Sequence, residues 1–446
     1  MILNMKYEYQ DGRLSATNLL SLVIQKLPAE VMEKNARTIF FPSVLQLVND
    51  DSKKVREAVA DTISLIFKKL DAEHLKDLYN YMGSWINSSE TGVLQRAAVQ
   101  LLGLLVDSRP DYIRRGKLSS EIVSMVKTVL TSAVMSQEDI KMSIDDKWEA
   151  IYFCLLCLEK ISINLPQSLS DKDDVWYTIV RCMVLRHAWV QQVSTRMVSS
   201  LLASVGPNQL VQKQTFLSNP GSTFEIARNI CLQISEYQEV GKDDQRPVMA
   251  VKILTWCGMA MHSSPVLCYK EETKNDDDDD DGEDPKRGSG NPLNWLFNRL
   301  SKLGKERVDI RKITVFKSFA SICTALNPET WTQFLQLMLD PLHRALEEAE
   351  RKPINSSSQD GHEVLSVELI NDVMTFLERK AGAELFLNCL SAVKIVNREW
   401  KDSLKMNRTM QDAMNPRLAA KRKLEKREKE RERKKLKIQK KRKTKW

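Results

Sequence analysis

The strongest constraint on this chain is a pattern that returns. Val55, Ala58, Val59, Thr62, Ile63 and Ile66 fall at i, i+3, i+4, i+7, i+8 and i+11, which is one apolar face of a helix. Adding 39 to each number gives Leu94, Ala97, Ala98, Leu101, Leu102 and Leu105, the same face again. The preceding helix recurs with a shift of 38: Phe40, Phe41, Val44, Leu47 and Val48 become Leu78, Tyr79, Met82, Trp85 and Ile86. One extra residue in the second turn reconciles the two shifts. A helical pair of this size cannot bury its apolar faces alone and must stack on copies of itself. The pattern therefore predicts an extended array rather than a globule around a pocket.

A period near 40 with two helices per unit points to HEAT or armadillo arrays. Only 15 glycines and 14 prolines in 446 residues, and no run of alternating β-branched residues, agree with an all-α chain. The stretch LVNDDSKKVREAVA resembles the HEAT signature, and Pro42 near the start of the first helix is typical of such units. In HEAT arrays the turn Asp and the following Arg join neighbouring units, which assigns Asp50 and Arg56 an inter-repeat structural role. The next unit breaks the pattern: Arg56 maps to Gln95, and Arg96 lies one residue later. The turns Asn49–Ser52 and Asn87–Glu90 supply oxygens to cap the helices that follow. Looser pairs continue in EIVSMVKTVL with WEAIYFCLLCLEKI, VWYTIVRCMVL with WVQQVSTRMVSSLLASV, and FEIARNICLQIS with VMAVKILTWCGMAM. The first helix, RLSATNLLSLVIQKL, has no capping unit before it, so the chain reads as a piece of a longer array.

Charge divides the chain. Residues 401–446 hold 20 Lys/Arg and 6 Asp/Glu, a net of +14; the other 400 residues hold 47 and 53, a net of −6. The expected organisation is a HEAT-type α-solenoid over 1–270, an acidic disordered linker over 271–291 with six consecutive Asp, further helical repeats over 292–400, and a basic helical tail over 401–446.

The chemistry of most enzymes is missing from the sequence. None of the five His stands in a metal spacing, and Cys154-x-x-Cys157 lies in an apolar helix without a second ligand pair. Phosphate loops, dinucleotide fingerprints and nucleophile elbows are absent. No catalytic residue, metal, cofactor or small-molecule substrate is therefore expected. A nucleic-acid glycosylase on this fold would need an acidic residue in an aromatic cleft, and no such set stands out. The longest apolar run, residues 151–158, is far too short to span a membrane, and the N-terminus is not a signal peptide, so an intracellular protein without membrane contact is expected. Trp85, Trp148, Trp176, Trp189, Trp256, Trp295 and Trp331 fall mostly on apolar faces and are expected in the core, with a few available as surface anchors.

The tail carries the candidate binding residues: Lys421, Arg422, Lys423, Lys426, Arg427, Arg431, Arg433, Lys434, Lys435, Lys440, Lys441, Arg442 and Lys443. Glu425–Lys429 and Glu430–Lys434 are i,i+4 pairs that support a protruding helix, irregular after about Lys437. A solvated charged helix is the plain alternative; contact with RNA phosphates is the preferred use, and the Lys/Arg clusters also suit nuclear import.

Five stretches in order resemble one family: LVNDDSKKVREAVA, LQRAAVQLLGLLVD, RHAWVQQVSTRMVSSLL, VFKSFASICTAL and NPRLAAKRKLEKREKE. They look like the C-terminal region of the U-three small nucleolar RNA-associated protein twenty family, also called down-regulated in metastasis. The resemblance implies a non-catalytic HEAT-repeat scaffold of the small-subunit processome, in the nucleus and nucleolus. It also implies partners: pre-rRNA or a snoRNA-containing particle, and ribosome assembly proteins, in 18S pre-rRNA processing. The rival expectation is a HEAT-repeat protein-binding scaffold or transport-receptor-like adaptor without RNA binding.

Overall fold

A computed structural model describes residues 2–88, 92–135, 147–210, 215–238, 244–268, 291–351 and 365–417, and in the tail 420–422, 424–425, 427–428 and 431–432. Every regular element among them is helical. In chain order these are α1 (Gln10–Lys26), the short α2 (Ala29–Lys34), α3 (Ala36–Asn49), α4 (Lys53–Lys69), α5 (Ala72–Asn87) and α6 (Gly92–Ser108). The short α7 (Pro110–Arg115), α8 (Ser119–Met135), α9 (Trp148–Asn164), α10 (Asp173–Cys182), α11 (Ala188–Ser204), α12 (Ser222–Glu236) and α13 (Arg246–Ser263) follow. The remainder are α14 (Pro292–Gly304), α15 (Asp309–Ala325), the short α16 (Pro328–Trp331), α17 (Leu335–Arg351), α18 (Val367–Ala381) and α19 (Ala383–Met414).

The helices pair as α3/α4, α5/α6, α8/α9, α10/α11, α12/α13, α14/α15 and α17/α18. Second helices stack on one another in the order α1, α4, α6, α9, α11, α13, α15, α18, and the first helices form another row, α5, α8, α10, α12, α14, α17, which α19 continues. This is the all-α solenoid that the period requires. The repeated face behaves as its spacing dictates: Val55, Val59, Thr62, Ile63 and Ile66 are buried in α4, as are Ala97, Ala98, Leu101, Leu102 and Leu105 in α6. Two positions depart from the pattern: Ala58 is half-buried, and Leu94, in the first turn of α6, is exposed. The acidic stretch 271–291 lies outside the described residues except for Asn291, which caps α14. On either side of it α13 packs along α15, so the stack continues.

Two expectations about local structure are refined. Ser52 caps α4 by accepting from the Val55 N–H, and Asp71 caps α5 by accepting from the His74 N–H. Pro42, however, stands inside α3 rather than near its start, because α3 already begins at Ala36. Its missing N–H leaves the Thr38 carbonyl without the usual helical donor. Gly382, at φ +89, supplies the left-handed backbone on which the chain reverses from α18 into α19.

Apolar burial does not hold the units in register alone. The last carbonyls of a helix have no partner within it, and here the following unit supplies donors. Lys69 reaches Gln25 O at 2.8 Å and Leu27 O at 2.7 Å at the end of α1. Arg109 reaches Phe67 O and Leu70 O, both at 2.9 Å, at the end of α4. Trp256 Nε1 donates to Val205 O beyond α11 at 2.9 Å, and Arg311 Nε to Tyr237 O beyond α12 at 2.6 Å. Inside the stack, Asn229 and Gln233 of α12 donate to Val180 O and Met183 O of the preceding unit, each at 3.0 Å. Gln233 also accepts from the Tyr237 hydroxyl at 3.1 Å and is fully buried. Gln233→Ala strands a buried carbonyl and a hydroxyl, and is expected to cost about 1–3 kcal/mol, read as a lower urea midpoint by circular dichroism.

Candidate nucleic-acid interface

The arm that carries the basic tail is fixed by a polar joint. Asp340 of α17 accepts from Lys305 at 2.7 Å, from Arg344 at 2.9 Å and from Asn397 of α19 at 2.9 Å. Burial works against the Asp340 carboxylate, yet these donors outweigh it and hold the group below its ordinary range. Lys401 pairs with Glu347, and the Arg344 guanidinium lies 5.1 Å from the ring centre of Trp400. Phe386, Val393 and Asn397 are the buried residues of α19. Past Lys401 the helix leaves the body: 402–411 are all exposed, including Leu404, Met406 and Met410. The stretch from Asp402 to the helix end at Met414 is roughly 20 Å long, so the arm carries its end clear of the solenoid. It stops at Asn415, where Pro416 disfavours helical backbone in the residue before it.

Beyond that break the described tail is helical again. Lys421, Arg422, Arg427 and Arg431 are helical and exposed, and Arg422 stands 3.3 Å from Asp412. Lys423, Lys426, Arg433, Lys434, Lys435, Lys440, Lys441, Arg442 and Lys443 lie outside the described residues.

Asp50 and Arg56 sit where the first turns meet. The Asp50 carboxylate accepts from Arg13 of α1 at 2.8 and 3.0 Å, from Gln46, and from the Ser52 N–H at 2.8 Å. Arg56 turns to its own loop and donates to Asp50 O at 2.7 Å and Asp51 O at 3.0 Å. The ion pairs that cross between units here are therefore those of Arg13 with Asp50 and with Asp51. In the next unit Arg96 reaches back to Val48 O and pairs forward with Glu149.

Two sets of reactive residues have structural explanations. Cys154 and Cys157 are fully buried in α9; burial pushes the Cys157 thiol up to about 12 and Cys154 well above its ordinary value, which favours the inert protonated form. Glu33, Asp71 and His74 bring ligand atoms within 4.8 Å of one another. Asp71 is already the α5 cap and also binds the His74 ring at 2.7 Å, a contact that raises the imidazole above its ordinary value.

Sequence reasoning missed a cluster of rings at the first turns of α9 and α11. Trp148 stacks on His187 with centres 4.1 Å apart, and Trp189 stands edge-on to Trp148 at 5.3 Å and tilted to Tyr152 at 5.9 Å. Trp331 and Trp176 are buried as expected, but Trp189 is 52% exposed. Beside the cluster, Lys147 lines a recess of about 140 Å³ with Gln95, Arg96 and Ser132. The sequence signal was the aromatic pair Trp148/Tyr152 at i,i+4 facing the turn His187-Ala188-Trp189 of the next unit.

The geometry defines a class: a HEAT-type α-solenoid with a projecting basic arm. Importin beta shares the fold at a TM-score of 0.50 and 10% identity, over 88% of this chain and 42% of that one. No family model matches the sequence. The U3 small nucleolar RNA-associated protein 20 of Schizosaccharomyces pombe is 23% identical over 428 residues, 94% of this chain. Its Saccharomyces cerevisiae namesake is 21% identical over 206 residues, 46% of this chain. The chain is thus similar to these U3 small nucleolar RNA-associated proteins 20, over most of its length in the first of them, and the similarity supports the resemblance to the C-terminal region of that family. It spans about 16% of the length of the first relative and 8% of the second.

The Asp50 joint has a definite pH dependence. Burial raises the Asp50 carboxyl, but Arg13, the Ser52 N–H and Gln46 together hold it below its ordinary value. A depressed carboxyl stabilises the fold above its unfolded pKa, about 3.9, and that contribution is lost as pH falls through the folded value. Asp50→Asn is expected to lower stability by about 1–3 kcal/mol at pH 7. The gap from the native chain should narrow as pH falls below that unfolded value of about 3.9, as measured by urea unfolding at stepped pH.

Proposed function

We propose that the chain is a non-catalytic scaffold of the small-subunit processome that works in the nucleolus, within the nucleus. Its stacked helices offer extended surface to ribosome assembly proteins. Its tail holds phosphates of pre-rRNA or of a snoRNA-containing particle during 18S pre-rRNA processing. The observation that carries this reading is that the segment of net charge +14, residues 401–446, begins on the half of α19 that projects from an acidic body. Support also comes from the relatives, which are named as U3 small nucleolar RNA-associated proteins.

Phosphate binding of this kind is independent of sequence and weakens steeply with salt, because each neutralised phosphate releases counterions. Lys421, Arg422, Arg427 and Arg431 present exposed cations for it. The other basic residues of the tail are candidates by sequence alone. The test is binding of a single-stranded RNA by fluorescence anisotropy from 50 to 300 mM salt. Replacing Lys421, Arg422, Arg427 and Arg431 together with Gln is expected to weaken binding at least about tenfold at 100 mM salt. It should also flatten the log–log salt slope by about 0.7 for each phosphate no longer neutralised. Unchanged affinity and slope would contradict the role given to these residues.

A further inference from the structure

We infer that the ring cluster on α9 and α11 is a second RNA subsite on the body of the solenoid, where Trp189 stacks one unpaired base. The inference deepens the RNA reading above and rests on it. The tail has no aromatic ring to offer except Trp446. The cluster has what the tail lacks.

Trp189 is held rather than loose. Trp148 meets it edge-on, Tyr152 leans on it, and Trp148 is itself clamped flat against His187 with planes 14° apart. Even so packed, Trp189 is 52% exposed, which leaves much of its surface open to a ligand. Such a fixed flat surface loses little freedom when a base lies on it. The immediate surroundings are charged. The Arg186 side chain is 83% exposed and stands only 3.8 Å from Glu236, an exposed and therefore weak pairing. Lys147 is exposed beside Trp148 and lines the recess with Arg96, whose own acid is Glu149. With Arg186 three residues before the ring and Lys147 next to its packing partner Trp148, the cluster offers the chemistry of single-stranded RNA recognition: stacking for the base and cations for phosphates. Protein docking asks for a broad apolar centre with charges excluded to its rim, whereas here Trp189 is the one exposed large apolar side chain of the cluster.

The probes are a fluorescein-labelled uridine dodecamer and an abasic dodecamer with the same number of phosphates, both titrated against the full chain. Trp189→Ala is expected to weaken the uridine probe at least about fivefold and to leave the abasic probe and the salt slope unchanged. Trp189→Phe keeps a ring and is expected to retain most of the affinity, which separates a loss of stacking from a loss of folding. If Trp189→Ala binds both probes as the native chain does, the subsite is refuted while the tail reading stands, and a protein becomes the better occupant of the shelf. Equal weakening of both probes also overturns the subsite, as a structural effect. If the native chain binds neither probe, the RNA reading itself fails and the subsite with it.

Discussion

Everything in this molecule depends on second helices stacking side by side. No unit closes its own core: the faces of α4 and α6 are dry because each neighbour covers the other. Stacking also solves the backbone problem that short helices create. Lys69, Arg109, Trp256 and Arg311 each extend from one unit to the carbonyls that end a helix of the unit before. A helix end in water needs no such partner, but one pressed against a neighbour does. These donors fix how far each unit advances and turns, and so set the surface available to anything that binds along the row.

The same logic places the basic segment. Were it laid along the body, 53 acidic residues in the other 400 would compete for its cations. The joint at Asp340 instead anchors only the first half of α19, and the second half leads the charge away. One carboxylate shared by donors on three elements sets the direction of a helix much longer than the joint itself. The projecting half carries its apolar side chains in solvent, so it owes its order to the anchored turns.

The architecture was legible in the sequence because burial leaves a period. A shift of 39 carries the α4 face onto the α6 face almost intact, and the later pairs emerge at looser spacing as α8/α9, α10/α11 and α12/α13. Joints were less legible. Arg13 lies 37 residues before Asp50, and nothing in either local sequence marks them as partners. Arg56, the residue the pattern favoured, binds its own loop because Arg13 already occupies the carboxylate. The ring cluster was hidden for a related reason: its members belong to two units, and each pair taken alone reads as ordinary packing. The tail's charge was plain in composition; its position at the end of an arm follows from Gly382 and Asn415, single residues with local effects.

Binding to ribosomal precursor RNA is the central claim for this molecule. Ultraviolet crosslinking of the protein in living cells, followed by sequencing of the attached RNA, tests it directly. The expected result is RNA dominated by small-subunit pre-rRNA or its associated small nucleolar RNA, with crosslinks strongly reduced when the basic tail is neutralised. Recovery of no RNA above an untagged control, or of RNA spread evenly over the transcriptome, would contradict it.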